Sequence, residues 1–124
     1  MSFEIEKNNK YTLIRVTSEK LDTGVAPNLK SELVVLNTEG IKHMIIDLGS
    51  VRYCDSSGLS SILVGNRLCK NSNGNFAICG LQEPVKKLIA ISQLDTVLNI
   101  ASGLKEAESM LFAGKVSGAG SDAE

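Results

Sequence analysis

A buried strand that leads through a polar turn into a helix is the feature that most constrains this chain. The strand is the apolar run over residues 44–48, the turn is Asp-Ser-Ser-Gly at 55–58, and a helical pattern covers 57–71. The amino end of a helix exposes free N–H groups and a partial positive charge. A serine hydroxyl in this turn can therefore cap the helix, act as a nucleophile or carry a phosphate.

Around this corner, strands alternate with helices after an initial pair of strands. Residues 3–8 and 10–17 predict an antiparallel hairpin, because apolar and polar residues alternate with a period of two. Later strands are predicted at 42–48, 76–79 and 97–100, and later helices begin near Pro27, Ser57, Pro84 and Lys105. This order predicts an α/β layer with parallel pairing, in which sites form where strands end and helices begin.

Helical spacing of apolar residues predicts which helix faces are buried. The predicted core contacts are Leu29, Leu33 and Leu36, then Leu59, Ile62 and Leu63, and finally Val85, Leu88 and Ile91. Residues 18–24 break the strand pattern and are predicted to form a loop. Asp47, near the end of its strand, is predicted to accept hydrogen bonds from nearby loop N–H groups.

Length and charge limit the classes of partner. A chain of 124 residues with a net charge of -1 predicts one domain and offers no basic surface for nucleic acid. No apolar run approaches the roughly 20 residues of a membrane span, and residues 1–6 lack the pattern of a signal peptide. We therefore expect a cytoplasmic protein without membrane contact. We expect a domain over 1–113 and a disordered tail over 114–124, which is small and polar.

The cysteine and histidine content points away from metal or redox chemistry. Cys54, Cys69 and Cys79 are widely spaced and form no C-x-x-C pair. His43, the one histidine, has no ligand spacing with them. We expect reduced structural thiols and neither a metal nor a cofactor.

The polar turn fits poorly with two common kinds of active site. A serine nucleophile needs a base, and His43 lies at the far end of the strand that precedes the turn. No G-x-S-x-G elbow is present, and Gly58 has no G-K-[ST] sequence after it, so neither a hydrolase nor a nucleotide-binding loop is predicted. Helix capping by Asp55 or a serine remains open, although capping alone explains only one polar residue.

The sequence of the turn resembles a known family. Asp47-Leu48 followed by Asp55-Ser56-Ser57-Gly58-Leu59 resembles the signature of STAS domains, specifically of bacterial anti-sigma factor antagonists. Leu21-Asp22, the segment 93–100 and Glu106-Ala107 are similar to further family segments. One departure is the turn before Leu21, which is longer here and lacks the usual glycine.

The resemblance implies a fold and a mechanism. The fold would be the α/β STAS fold, a mixed and mostly parallel β-sheet with an N-terminal hairpin and about four α-helices. Ser57, directly before the glycine, would be phosphorylated by an anti-sigma factor that is also an ATP-dependent serine kinase. The unphosphorylated chain would bind that anti-sigma factor and so release a sigma factor. A phosphoserine phosphatase would return the phosphorylated chain to its unphosphorylated form. The protein would be a switch and not an enzyme, and a monomer or weak dimer.

The resemblance also suggests partner-binding residues, and it leaves a second function open. Asp22, Asp55, Ser56 and Gly58 would meet the partner, although Asp22 and Asp55 fit simple loop and cap roles equally well. Some STAS domains are scaffold subunits of membrane transporters or of other signalling complexes. These often lack the acceptor serine, so the presence of Ser57 favours the switch. A stressosome-type scaffold is not expected, because no extra N-terminal domain is visible.

Overall fold

Strand β4 (Met44–Asp47) lies at the centre of a five-stranded sheet. The computed structural model of the chain describes residues 2–117. The strand order is β1-β2-β4-β6-β7, and the other four strands are β1 (Phe3–Lys7), β2 (Thr12–Val16), β6 (Phe76–Cys79) and β7 (Ile100–Ala101). β4 pairs directly with β2 and β6. β1 and β2 form the predicted antiparallel hairpin, and the other neighbouring strands pair in parallel.

The remaining elements are two short strands and the helices. β3 (Lys20–Leu21) and β5 (Tyr53–Cys54) form a separate parallel pair. The helices are α1 (Ala26–Thr38), α2 (Ser56–Asn71), α3 (Glu83–Ile91) and α4 (Leu104–Ser117), with a 3-10 turn at Leu94–Thr96. This arrangement confirms the predicted α/β fold with a mixed, mostly parallel sheet, a hairpin at its start and four helices.

The register of the three central strands gives the sheet two apolar faces. Ile14, Ile46 and Ile78 lie side by side on the face that α1, α2 and α3 cover. The alternate residues of the same strands, including Ile45 and Ala77, face the smaller core beneath α4. β4 and β6 are therefore buried on both sides, as the continuous apolar runs of their sequences predict.

Helices α1 and α2 pack beside each other on one face of the sheet. The predicted leucines of α1, Leu29, Leu33 and Leu36, are all buried, and Pro27 lies in its first turn. Gly65 of α2 permits close packing, because a β-carbon there would stand 2.6 Å from the ring of Phe76 and 3.3 Å from Leu33. Glycine is therefore required in α2 by the space between α1 and β6.

Several local predictions were wrong. Residues 20–21 are a short strand and not part of a loop. The predicted strand at 97–100 is reduced to Ile100–Ala101, and Val97 is exposed. In α3 the buried residues are Val85 and Ile89, whereas Ile91 is 80% exposed.

At the C-terminus, α4 continues to Ser117 and so includes the first residues of the predicted tail. The rest of that tail, residues 118–124, lies outside the described residues, and its disorder stays a prediction. Within residues 2–117, none of the helices has the length and apolar character that crossing a membrane requires.

The contrast between two neighbours in α2 tests the packing. Ile62 is fully buried in the main core, whereas Leu63 only packs against its margin. We expect Ile62→Ala to lower the free energy of unfolding by about 2–5 kcal/mol, because it leaves a cavity. Leu63→Ala should cost clearly less. Urea denaturation of both variants measures the difference, and equal losses would contradict this assignment of the helix face.

Candidate functional site

Two loops meet at one corner of the molecule because β3 and β5 pair in parallel. Leu21 lies opposite Cys54, and the N–H of Asp55 donates to the carbonyl oxygen of Leu21 at 3.4 Å. Asp22 and Asp55 each directly follow one of these strands, so the structure brings the two carboxylates to the same end of the pair. Both side chains are partly buried.

Asp55 is the residue that caps helix α2. Its backbone is extended, with φ -112° and ψ -171°, and its Oδ1 accepts a hydrogen bond from the N–H of Gly58 at 3.0 Å. Its carbonyl oxygen accepts from the N–H of Leu59 at 3.0 Å. The capping role left open by the sequence is therefore filled by the aspartate, and not by a serine.

The two serines are the first residues of α2, and neither of them caps the helix. Ser56 is exposed, and Ser57 is partly buried. Within residues 2–117, neither hydroxyl forms a hydrogen bond. The first turn of α2 also contains no acidic residue. The result is a free hydroxyl beside the positive end of a helix, an environment that favours an anion.

Asp22 shapes the turn that leads into α1. Its Oδ1 accepts from the N–H of Gly24 at 3.0 Å, and its carbonyl oxygen accepts from the N–H groups of Val25 and Ala26 at 3.0 and 2.7 Å. α1 and α2 thus both begin at the corner that holds the two aspartates. Asp22 has a defined local role, and contact with a partner through Asp22, Asp55 or Ser56 stays a prediction.

Gly58 supports the corner from beneath. It is buried, and a β-carbon there would stand 2.2 Å from the carbonyl oxygen of Leu21 and 2.6 Å from the Sγ atom of Cys54. No side chain fits in this space, because one of the obstacles is main chain. Gly58 therefore lets α2 start directly against β3, and its contact with a partner stays a prediction.

Asp47 holds the loop that connects β4 to β5. Its Oδ1 accepts from the N–H of Gly49 at 2.8 Å, which confirms the predicted loop hydrogen bond. Its Oδ2 accepts from Arg15 at 3.4 Å. On the other side of the loop, Gln82 donates from Nε2 to the carbonyl oxygen of Gly49 at 2.8 Å. These bonds fix the path of the chain toward the serine corner.

Other groups lie away from this chemistry. His43 precedes the first residue of β4, and its Nδ1 accepts from the N–H of Asn75 at 3.1 Å, so it stands at the opposite end of the sheet from the serines, as the sequence predicts. Among the described residues, no three His, Cys, Asp or Glu side chains form a metal-binding group. Tyr53, in contrast, lies on β5 beside the corner and is 52% exposed. The sequence does not indicate this position, since a strand of two residues shows no periodicity.

Cys54, Cys69 and Cys79 are buried, and none of the three forms a disulfide. Burial raises the pKa of Cys54 to about 12, and the nearby charge of Asp55 adds to the effect. Burial likewise raises the pKa of Cys69 to about 12 and that of Cys79 to about 11. Thiols with such pKa values are protonated near neutral pH and are weak nucleophiles.

Comparison with known protein families assigns this chain to a family. The family model of the STAS domain matches residues 2–107, which include both loops of the corner. The chain belongs to the STAS domain family. Among curated STAS relatives, an anti-sigma-B factor antagonist of Staphylococcus epidermidis is 29% identical over 104 residues, or 83% of this chain and 94% of the relative. An anti-sigma F factor antagonist of Paenibacillus polymyxa is 25% identical over 101 residues, or 81% and 86%.

Solved STAS structures share the fold. An anti-sigma factor antagonist from Mycobacterium paratuberculosis matches with a TM-score of 0.78 at 18% identity, covering 88% of this chain and 92% of that one. SpoIIAA of Bacillus in its phosphorylated form matches with a TM-score of 0.68 at 19% identity, covering 87% and 97%. A sulfate transporter family protein from Wolinella succinogenes also matches, with a TM-score of 0.68 at 18% identity and coverage of 84% of both chains.

Replacement of Gly58 tests the close packing beneath the serines. We expect Gly58→Ala to lower the free energy of unfolding by about 2–3 kcal/mol, because the new methyl group meets a main-chain oxygen that cannot move aside. Gly103→Ala is the control, since a β-carbon there has no atom within 4 Å. Urea denaturation measures both. A loss at Gly58 no greater than that at Gly103 would show that the corner has room for a side chain.

Thiol alkylation tests the burial of the cysteines. We expect Cys54, Cys69 and Cys79 of the folded chain to resist iodoacetamide at pH 8, because a protonated and buried thiol reacts slowly. In denaturant all three should react within the same period. Intact mass before and after treatment counts the modified thiols, and rapid modification of the folded chain would contradict the buried positions.

Proposed function

We propose that this STAS protein is an anti-sigma factor antagonist that is controlled by phosphorylation of Ser57. The observation that carries the proposal is the unbonded hydroxyl of Ser57 in the first turn of α2, where Asp55 already provides the cap. In this proposal the unphosphorylated chain binds an anti-sigma factor and so releases a sigma factor for transcription. The chain acts as a substrate and a regulator in the cytoplasm, and it catalyses no reaction itself.

The start of α2 suits a phosphate group. Asp55 satisfies the N–H of Gly58, which leaves the N–H groups of Ser56 and Ser57 without an acceptor within residues 2–117. Phosphoserine adds about -1.5 to -2 charges, and the helix dipole favours an anion there by about 0.3–1 kcal/mol. Phosphorylation is therefore compatible with the folded state, and the fold need not open for the switch to work.

The effect of the phosphate is expected at the interface with the partner. A charge that enters an interface loses water, and an imperfectly compensated charge can cost several kcal/mol of binding. Asp22 and Asp55 already place negative charge at the same corner. A phosphate on Ser57 adds to that charge, so it weakens binding to any partner surface that fits the unmodified corner.

The relatives support the same role. The curated relatives that match most of the chain are named as antagonists of anti-sigma factors, and SpoIIAA, which shares the fold, is known in a phosphorylated form. By this analogy the kinase is an anti-sigma factor that uses ATP, and a phosphoserine phosphatase reverses the reaction. The transporter-scaffold alternative is supported by a shared fold alone, whereas the two curated relatives described above are named as antagonists of anti-sigma factors.

Three variants separate the acceptor role from the fold. Incubation with ATP and the anti-sigma kinases of the source organism should add one phosphate to the parent chain and to Ser56→Ala, and none to Ser57→Ala. Ser57→Asp should keep the melting temperature of the parent and bind the anti-sigma factor more weakly, since it carries part of the phosphate charge. Intact mass, circular dichroism melts and calorimetric affinity provide the measurements.

Each result has a distinct meaning. Phosphate on Ser56, or on neither serine, would contradict the assignment of Ser57. Affinity of Ser57→Asp that falls only in step with unfolding would mean that the switch acts through the fold. Parental affinity in Ser57→Asp would mean that charge at this position is not the signal.

A further inference from the structure

An apolar groove lies on the outer surface of α1 and α2. It has a volume of about 460 Å³ and is lined by Lys30, Ser31, Val34, Val35 and Val64. Val34 is 44% exposed and Val35 is 48% exposed, so both valines present methyl groups to solvent. We refer to this feature, defined by these five residues, as the valine groove.

The fold does not account for the exposed valines. α1 already buries Leu29, Leu33 and Leu36 toward the core, and the exposed halves of Val34 and Val35 make no contribution there. β-Branched residues are also weaker helix formers than alanine or lysine, so helix stability does not favour two of them in succession. Exposed apolar side chains that line one groove together are candidates for an interaction surface.

The groove lies about two helical turns from the serine corner. Val64 lies seven residues after Ser57 in α2, which is close to two helical turns, so both project from the same stripe about 10 Å apart along the axis. α1 and α2 both begin at the corner, and Val34 lies as far into α1 as Val64 lies into α2. The valines of both helices are therefore at the same distance from the corner.

A protein interface of ordinary size is large enough to include both Ser57 and the valine groove. A specific interface buries about 800 Å² on each partner, which corresponds to a circle with a radius of roughly 16 Å. A contact of ordinary size that is centred on Ser57 therefore reaches the valine groove. Apart from Tyr53 on β5, the exposed residues directly around Ser57 are polar and offer little apolar surface for a stable complex.

We propose that the valine groove is the docking surface for the anti-sigma factor kinase, which holds the chain there while Ser57 enters its active site. This inference rests on the proposed function. The partner segment that fits carries an apolar side chain for the valines and a carboxylate beside Lys30, which forms no ion pair within residues 2–117. A second copy of this chain fits less well, because a two-fold contact across the groove brings two Lys30 ammonium groups together.

The test uses two valines of equal exposure. Val35 and Val97 are both 48% exposed, but only Val35 lines the groove. Val35→Glu and Val97→Glu are each assayed with the anti-sigma kinase that phosphorylates the parent chain. We expect Val35→Glu to weaken the affinity for the kinase and to raise the KM for phosphorylation by about tenfold, because it places a charge in a desolvated contact. kcat should stay within about twofold of the parent value, because Ser57 is unchanged.

The controls keep the result specific. Val97→Glu should match the parent in affinity, KM and kcat, and both variants should keep the parental melting temperature, since both sites are exposed. Val35→Ser removes methyl groups without adding charge and should weaken binding in the same direction. It serves as the test if Val35→Glu lowers the melting temperature.

Three outcomes would overturn the inference. One is parental affinity and KM in Val35→Glu. Another is an equal loss in Val97→Glu, which would indicate a general charge effect. A third is a parent chain that dimerises, a monomeric Val35→Glu and unchanged kinase affinity, which would assign the groove to a second copy. A parent chain that no anti-sigma kinase phosphorylates would instead contradict the proposed function itself.

Discussion

The contact between Gly58 and the carbonyl oxygen of Leu21 is the constraint on which the serine corner depends. A β-carbon at position 58 would stand 2.2 Å from that oxygen, so α2 can start against β3 only with glycine there. The close packing of α2 against β3 also places Asp55 at the start of α2, where its Oδ1 accepts a hydrogen bond from the N–H of Gly58. Because one aspartate and one glycine set the geometry, the serines between them are free to serve another purpose.

The paired strands β3 and β5 make the corner a meeting point of two loops. They are separate from the five-stranded sheet and contain two residues each. Through their parallel pairing, α1 and α2 begin side by side, and Asp22 and Asp55 stand at the same end. The negative charge of the aspartates and the positive helix ends therefore act on the same small region. A phosphate on Ser57 would add further negative charge to this region.

The sequence predicted the long elements because each has a strong local signal. The leucines of α1 follow helical spacing, β4 and β6 are continuous apolar runs, and the Asp-Ser-Ser-Gly segment lies between a strand and a helix. β3 was missed because two residues cannot show a period of two, and its partner β5 is distant in sequence. Val97 was wrongly predicted in a strand, and Ile91 was wrongly predicted on the buried face of α3. The sequence of a short apolar run or of a helix end does not show whether an apolar residue is buried.

The separation of buried and exposed residues in α1 and α2 has a consequence for related signalling chains in one cell. Gly58 and the backbone of Leu21 fix the position of the serines and lie beneath the surface. Val34, Val35 and Lys30 lie on the surface. Under the proposed docking, substitutions in the outer residues alter partner choice while the proposed acceptor Ser57 stays the same. A duplicated gene could thus acquire a new partner through a few surface changes, and parallel pathways could stay insulated from each other although they share the same phosphorylation site.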